Sequence, residues 1–479
     1  MKKIMIASLA LAALSLAACS SDDNDYREAR HFDDTIVPSV VSVSPEDNST
    51  DIDTIENVVI TYSKPVTLTP HRTVRIYTND STYYYAADST VTCEGNQVTI
   101  NVNAQPAQYY KIEVMKPTVR DSSYNFAEDY SFSFQTKVYN MFDATKFNIT
   151  PDLVNANATA ETKALYSYLV SQFGKTVLSA ATANNAGMNH DMADYIYQAS
   201  GKYPAINTYD FIQFIHSKPL NPTNWMDYTN TQEEEDWHNA GGIVSFMWHW
   251  VVPKTKAQES DYDKGYTFKA DETDWDAKQA TRTGTWQHTH AMRDIDIIAD
   301  YLLALQQKGI AVIWRPLHEA SGNIYNYDNG QPWFWWGKGG AANFKKLWRM
   351  VFNEFKAKGV NNVIWVWTSE GNDKNFYPGD NYVDIIAYDY YENNKSLYHS
   401  SAADKFEALR EMTGGKKIIT MAECGAMPSV KSMMEKGTVW SWVMPWYGDY
   451  TTGGDINSKE FFNSWMNSKF VVTRDQVNY

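Results

Sequence analysis

Two glutamates stand where the chain stops being apolar. Glu319 lies in "WRPLHEASG" (314–322), behind the strand-forming run "IAVI", and Glu423 lies in "MAECG" (421–425), behind "KIIT". A carboxylate at the end of a buried strand costs several kcal/mol unless it is paired or changes its protonation state. Two of them flanking one cleft could act on a single bond, one attacking as an anion and the other delivering a proton. A separation of about 5–5.5 Å suits cleavage of a glycosidic bond through a covalent intermediate. His318 directly precedes Glu319, and His249 lies in "MWHW". Asp389 and Tyr391 belong to "YDYY", and Trp446 follows "WSWVMP". Period-two alternation sets Asp389 and Tyr391 on one face and Arg315 on the side of Glu319. Asp210 and Glu370 also close apolar runs, but neither has comparable neighbours in the sequence.

Other chemistries fit worse. "HEASG" lacks the second histidine of a zinc-protease helix, and no His/Cys cluster has metal-ligand spacing. Neither a "GxSxG" elbow nor a phosphate loop is present.

These residues need a scaffold that brings strand ends together. From about residue 140, strand-like runs alternate with helical ones. The runs cover 175–182, 203–211, 242–250, 310–319, 362–370, 382–391, 417–425 and 440–449. Ile295, Ile298, Leu302 and Leu305 recur at helical spacing between the third and fourth runs. Phe344, Leu347, Trp348, Val351 and Phe355 do so between the fourth and fifth, and Gly309 and Gly359 mark helix stops. Eight such repeats over 140–479 predict an α/β fold, a (β/α)8 TIM barrel with its working residues at strand C-termini. Glu319 then ends strand four and Glu423 ends strand seven, across one mouth.

Residues 38–137 have another character. "VVSVSP", "NVVITYS", "TVRIY", "QVTINV", "YYKIEVM" and "YSFSFQT" are short alternating runs broken by Pro, Asn, Asp and Ser, which predicts a β-sandwich. The segment resembles a bacterial immunoglobulin-like domain, and a spacer role is expected of it. Ahead of it, Lys2 and Lys3 precede a short apolar run ending in "LAAC". Residues 1–18 resemble a lipoprotein signal peptide, with lipidated Cys19 as the outer-membrane anchor. The acidic tether 19–37, with its "SSDDND", resembles the export tag of Bacteroides-type surface lipoproteins, so a cell-surface location is expected.

The formal net charge of −15, with no basic run, argues against nucleic acid and anionic lipid headgroups as partners. A neutral ligand is compatible with it. The 17 Trp and 32 Tyr lean toward carbohydrate, because aromatic faces stack on sugar C–H faces. Three cysteines are few for an exported chain. With Cys19 assigned to the anchor, Cys93 and Cys424 fall in different domains, where no disulfide between them is expected.

The motifs "WRPLHEASG", "WFWWG", "WHW", "YDYY" and "AECG", in this order except that "WHW" comes first, resemble glycoside hydrolase family 26 over roughly residues 140–470. The resemblance implies a cofactor-free retaining enzyme, mostly an endo-β-1,4-mannanase acting on β-mannan-type polysaccharide. It implies Glu319 as acid/base and Glu423 as nucleophile. His318, His249, Trp333, Tyr391 and Trp446 then match substrate-site residues, Tyr391 hydrogen-bonding the nucleophile; Asp389, placed beside Tyr391 by the alternation, is a further substrate-binding candidate. The insertion "NIYNYDNGQP" before "WFWWG" departs from the family pattern and bears on the position of Trp333. Two alternatives stay open at this stage: a family member cutting mixed-linkage β-glucan or β-1,3-xylan, and a non-catalytic carbohydrate-capturing lipoprotein. A monomer is expected.

Overall fold

The computed structural model describes residues 34–78, 83–105, 108–137, 139–216, 220, 228–325 and 329–479. The signal segment, Cys19 and most of the acidic tether lie outside the described residues. The chain divides into two compact units between Tyr139 and Asn140.

In the N-terminal unit the alternating runs do form strands. One sheet orders Val40–Ser44, Asn57–Tyr62, Gln97–Asn101 and Val91–Glu94. The other orders Ser49–Ile52, Tyr130–Thr136, Tyr109–Met115, Thr73–Tyr77 and Tyr83–Tyr85. Every second residue turns inward: Val58, Ile60 and Tyr62 from one sheet meet Ile112, Val114, Phe132 and Phe134 from the other. Burying such a face on each side is what makes a two-sheet unit stable in water.

The C-terminal unit is a closed parallel barrel of eight strands: β1 (Val177–Thr182), β2 (Ile206–Asp210), β3 (Ile243–Trp248), β4 (Val312–Pro316), β5 (Val363–Ser369), β6 (Ile385–Tyr390), β7 (Ile418–Cys424) and β8 (Trp442–Pro445). Each strand pairs in parallel with the next, and β8 closes on β1 through Leu178 and Ser179. The strands are buried along almost their full length, as expected of a sheet covered on both faces. The two helices read from periodicity are Trp286–Gln307 and Ala341–Lys358. They bury Ile295, Ile298, Leu302 and Leu305, and Phe344, Leu347, Trp348, Val351 and Phe355, respectively. Gly359 caps the second helix at φ +81°, a conformation only glycine adopts without cost.

Three features depart from the regular repeat. Between β5 and β6 the chain makes only the 3-10 turn Lys374–Phe376, and helix α1 (Ala160–Gln172), which precedes β1, packs against β5. The strand register shifts between β6 and β7, so that Tyr388 pairs with Met421 but Asp389 with Glu423. Ala422 is the extra residue of a β-bulge, a device that re-aims side chains near barrel rims. The third departure corrects the expected strand four: it stops at Pro316, so Glu319 stands three residues beyond it. Proline at the strand end lacks the N–H needed to continue the ladder.

Candidate active site

Glu423 comes from inside β7 and is 4 % exposed. Arg315 of β4, 3 % exposed, reaches across the barrel interior and donates from Nη2 to Glu423 Oε1 and from Nη1 to Asp389 Oδ2 at 2.9 Å. On its other side Glu423 accepts a hydrogen bond from the Tyr391 hydroxyl at 3.0 Å on Oε2. Both oxygens are therefore directed by fixed donors, and a charge-assisted bond to arginine is the stronger of the two kinds. The bulge at Ala422 explains the convergence: it sets Asp389 directly beside Glu423, within reach of one guanidinium.

Glu319 approaches from the loop after β4. Leu317 and Glu319 are both left-handed, at φ +51° and +49°, which costs about 1–2 kcal/mol per residue. Local contacts hold this backbone. The Gly322 N–H donates to Glu319 O at 2.9 Å, and the Trp336 indole donates to His318 O at 2.8 Å. Gly337 lies so close beneath Ala320 that a Cβ there would sit 2.1 Å from the Ala320 carbonyl oxygen. The twist breaks the alternation that would have placed Arg315 and Glu319 on one strand face; the two meet through the loop instead. Carboxylate oxygens of Glu319, Asp389 and Glu423 lie within 4.8 Å of one another.

Electrostatics separate the two glutamates. Burial, followed by the charges of Asp389, Glu423 and Glu370, pushes Glu319 well above the ordinary carboxyl range, while Arg315 pulls weakly the other way. Glu319 accordingly holds its proton at neutral pH. Glu423 instead faces two donors, the Tyr391 hydroxyl and the Arg315 guanidinium, the latter shared with Asp389. Three carboxylates this close could also attract a cation. Here Arg315 already supplies the countercharge to two of them, and a metal ion would have to displace it.

The two histidines pack against one another beside this group. His318 is 1 % exposed, with Nε2 3.9 Å from Glu423 Oε1. Burial, then Arg315 and His249, push it well below the ordinary histidine range, so it is neutral and supplies no positive charge. Its edge meets His249 at 4.4 Å between ring centroids. His249, the first residue beyond β3, is fixed by Asp210 twice: through its Nδ1 at 2.5 Å and its backbone N–H at 3.0 Å. Asp210 had seemed to lack neighbours because its partner lies on the next strand, 39 residues along the chain. Glu370, just beyond β5, gains Glu423 as a neighbour only through the fold. Burial, then Asp373 and Glu423, push its carboxyl up to about 7.

Aromatic side chains complete the cleft. Trp333 is 38 % exposed and lies over Gly322, where a Cβ would come within 2.2 Å of its indole. The next residues turn inward: Phe334 stacks on Trp336 at 4.5 Å, and Trp335 donates to Trp250 O at 2.6 Å. Trp446 follows β8 with its ring 6.1 Å from His249. Glu319, Glu423, His249, His318, Asp389, Tyr391 and Trp446 thus share the C-terminal mouth of the barrel, and Trp333 stands on the Glu319 loop.

Fold and site together define a (β/α)8 barrel with a buried carboxylate pair at its C-terminal mouth. Residues 154–476 match glycosyl hydrolase family 26, and residues 34–136 match a bacterial Ig-like domain. A mannan endo-1,4-beta-mannosidase of Thermothelomyces thermophilus is 32% identical over 331 residues, covering 69% of this chain and 64% of the relative. Mannan endo-1,4-beta-mannosidase B of a Piromyces species is 29% identical, covering 69% and 54%. The chain therefore spans less than two thirds of the length of these curated relatives. Among solved structures, the family 26 domain of an endo-beta-mannanase/endo-beta-glucanase from Prevotella bryantii shares 36% identity at a TM-score of 0.62, covering 69% of this chain and all of that one. The chain belongs to glycosyl hydrolase family 26.

Proposed function

We propose that the protein is a retaining endo-β-1,4-mannanase acting on mannan, glucomannan or galactomannan. The approach of Glu319 to Glu423 carries this reading: oxygens within 4.8 Å of each other lie near the retaining separation of about 5–5.5 Å and well short of the about 6.5–9.5 Å of an inverting pair. The relatives named mannan endo-1,4-beta-mannosidases support the substrate class.

In this mechanism Glu423, held by Arg315 and Tyr391, attacks the anomeric carbon as Glu319 protonates the departing glycosidic oxygen. A covalent glycosyl–enzyme forms on Glu423. Glu319, now ionised, takes a proton from water, the water attacks the anomeric carbon, and Glu423 leaves with net retention. Because the proton on Glu319 is required, kcat/KM should fall as pH rises through its raised pKa. Digests of glucomannan, barley β-glucan and β-1,3-xylan, sized for products and followed for anomeric configuration, test the reading. Internal cuts in glucomannan with β-product first are expected; cleavage of either other polymer alone would replace it.

Glu319→Ala should lose about 10²–10⁴-fold on ordinary glycosides, the usual contribution of general acid–base catalysis. An activated aryl mannoside needs no proton for its first step, so the glycosyl–enzyme should form and accumulate. Azide should then restore turnover and give a β-linked product. Rescue of the Glu423 variant to an inverted product instead would reverse the assignment.

We further propose surface display through lipidated Cys19, with the sandwich as a spacer. The "LAAC" and "SSDDND" stretches support this. Protease shaving of intact cells should release the barrel unit; survival until lysis would place the protein elsewhere.

A further inference from the structure

Glu319 owes its position to a backbone that is unfavourable by itself, and one tether on that backbone comes from a different strand. Asp373, 1 % exposed, sits in the loop after β5, the loop that carries no α-helix. It accepts from Ser321 Oγ on Oδ2 at 2.5 Å and from Ser369 Oγ on Oδ1 at 2.5 Å. The Glu370 N–H also donates to Oδ2, at 3.2 Å, and the Asp373 carbonyl accepts from Phe376 N–H at 2.7 Å. The carboxylate thus has one bond to the Glu319 loop and two to the end of β5. Ser321 is itself 1 % exposed and lies inside the turn closed by Gly322 N–H and Glu319 O. Nothing in the bond-breaking step uses Asp373 or Ser321, yet both serines and the aspartate are buried with their polar atoms matched.

We infer that Asp373, acting through Ser321, is a positioning residue for the acid/base, clamping the Glu319 loop to β5. The inference rests on the reading of Glu319 as acid/base. With the clamp in place, the left-handed Glu319 keeps its carboxyl among Asp389 of β6, Glu423 of β7, Glu370 just beyond β5 and Arg315 of β4. Without it, the turn can relax toward ordinary negative φ, which swings the Glu319 side chain out of this group and toward water. A displacement of about 1 Å at a reacting group is enough to cost about 10²-fold. A second bond spans the same two loops at the surface, from the Tyr325 hydroxyl to Asn375 Oδ1 at 2.9 Å, so the β4 and β5 loops are joined at both depths.

The test uses the full chain with Ser321→Ala, Asp373→Ala, Asp373→Asn and Ser369→Ala. Ser321→Ala removes a single oxygen and keeps the test readable should Asp373→Ala fail to fold. Ser321→Ala and Asp373→Ala are expected to lower kcat/KM on glucomannan about 10–100-fold. They should leave glycosylation by an activated aryl mannoside near the parent rate, and should move the alkaline limb of the pH profile to lower pH as Glu319 becomes better solvated. Asp373→Asn can still accept from one serine and donate to the other, and should recover part of the loss. Ser369→Ala leaves the Ser321 bond intact and should stay closer to the parent. A folded Ser321→Ala protein with the parent's alkaline limb and equal losses on both substrates would overturn the clamp. Glu319→Gln run alongside separates the two ideas: if it shows no dependence on leaving group, the acid/base reading fails whatever the serine variant does.

Discussion

Replacement of Glu423 by alanine is expected to stop turnover on every substrate, with a loss of about 10⁴-fold or more, the scale on which members of a catalytic unit fail. The argument is geometric. Glu423 is the carboxylate whose two oxygens are each aimed by a donor, Arg315 on one side and Tyr391 on the other. No neighbouring carboxylate can take over. Asp389 is committed to Arg315, and Glu319 is held in its acid form by burial and by the charges around it. An activated aryl mannoside should therefore be as inert as the polymer, because the missing part is the attacking atom and not the proton. Stopped assays with both substrates, on protein whose melting temperature matches the parent, make the comparison. Retention of the aryl mannoside activity in Glu423→Ala would assign the attack to another group.

Arg315→Met carries the second large effect, this time on stability and rate together. Arg315 is the buried cation for two buried carboxylates. Breaking a buried ion pair from one side typically costs about 3–5 kcal/mol, because the partner's charge is stranded. Methionine keeps most of the side-chain volume, so the loss reports charge and not a cavity. The barrel unit should unfold at lower denaturant with an unchanged m-value. What folds should be slow, since Glu423 loses one of the two donors that aim its carboxylate. Denaturant titration and kcat/KM on glucomannan read the two parts. An unaltered midpoint would mean that water or rearranged side chains replace the cation.

The two glutamates were legible because each follows an apolar run that stops abruptly, and the eight runs around them fix the barrel. Helices were legible where their apolar stripe was long, as in Trp286–Gln307 and Ala341–Lys358. What escaped was set by contacts between strands far apart in the chain. The pairing of Asp210 with His249 exists only because β2 and β3 are neighbours. Arg315 looks like any strand residue until β4, β6 and β7 surround one interior. The left-handed turn at Leu317 and Glu319 has no glycine to announce it; the indole of Trp336 and the close approach of Gly337 impose it from 15 or more positions downstream. The helix missing after β5 was hidden because α1, from before the first strand, packs there.

Cys424 follows the nucleophile directly, yet it is fully buried with Sγ against Met444 O. Burial, then Asp389 and Glu423, push its thiol well above the ordinary range, and burial raises Cys93 as well. Thiols react as thiolates, so both are chemically quiet at neutral pH. For the bench this is useful. Once Cys19 is removed, the protein can be handled without reductant, and one cysteine placed on the rim of the cleft should take a maleimide dye or spin label cleanly. The mobility and surroundings of that label could then be followed during turnover without touching the residue beside Glu423.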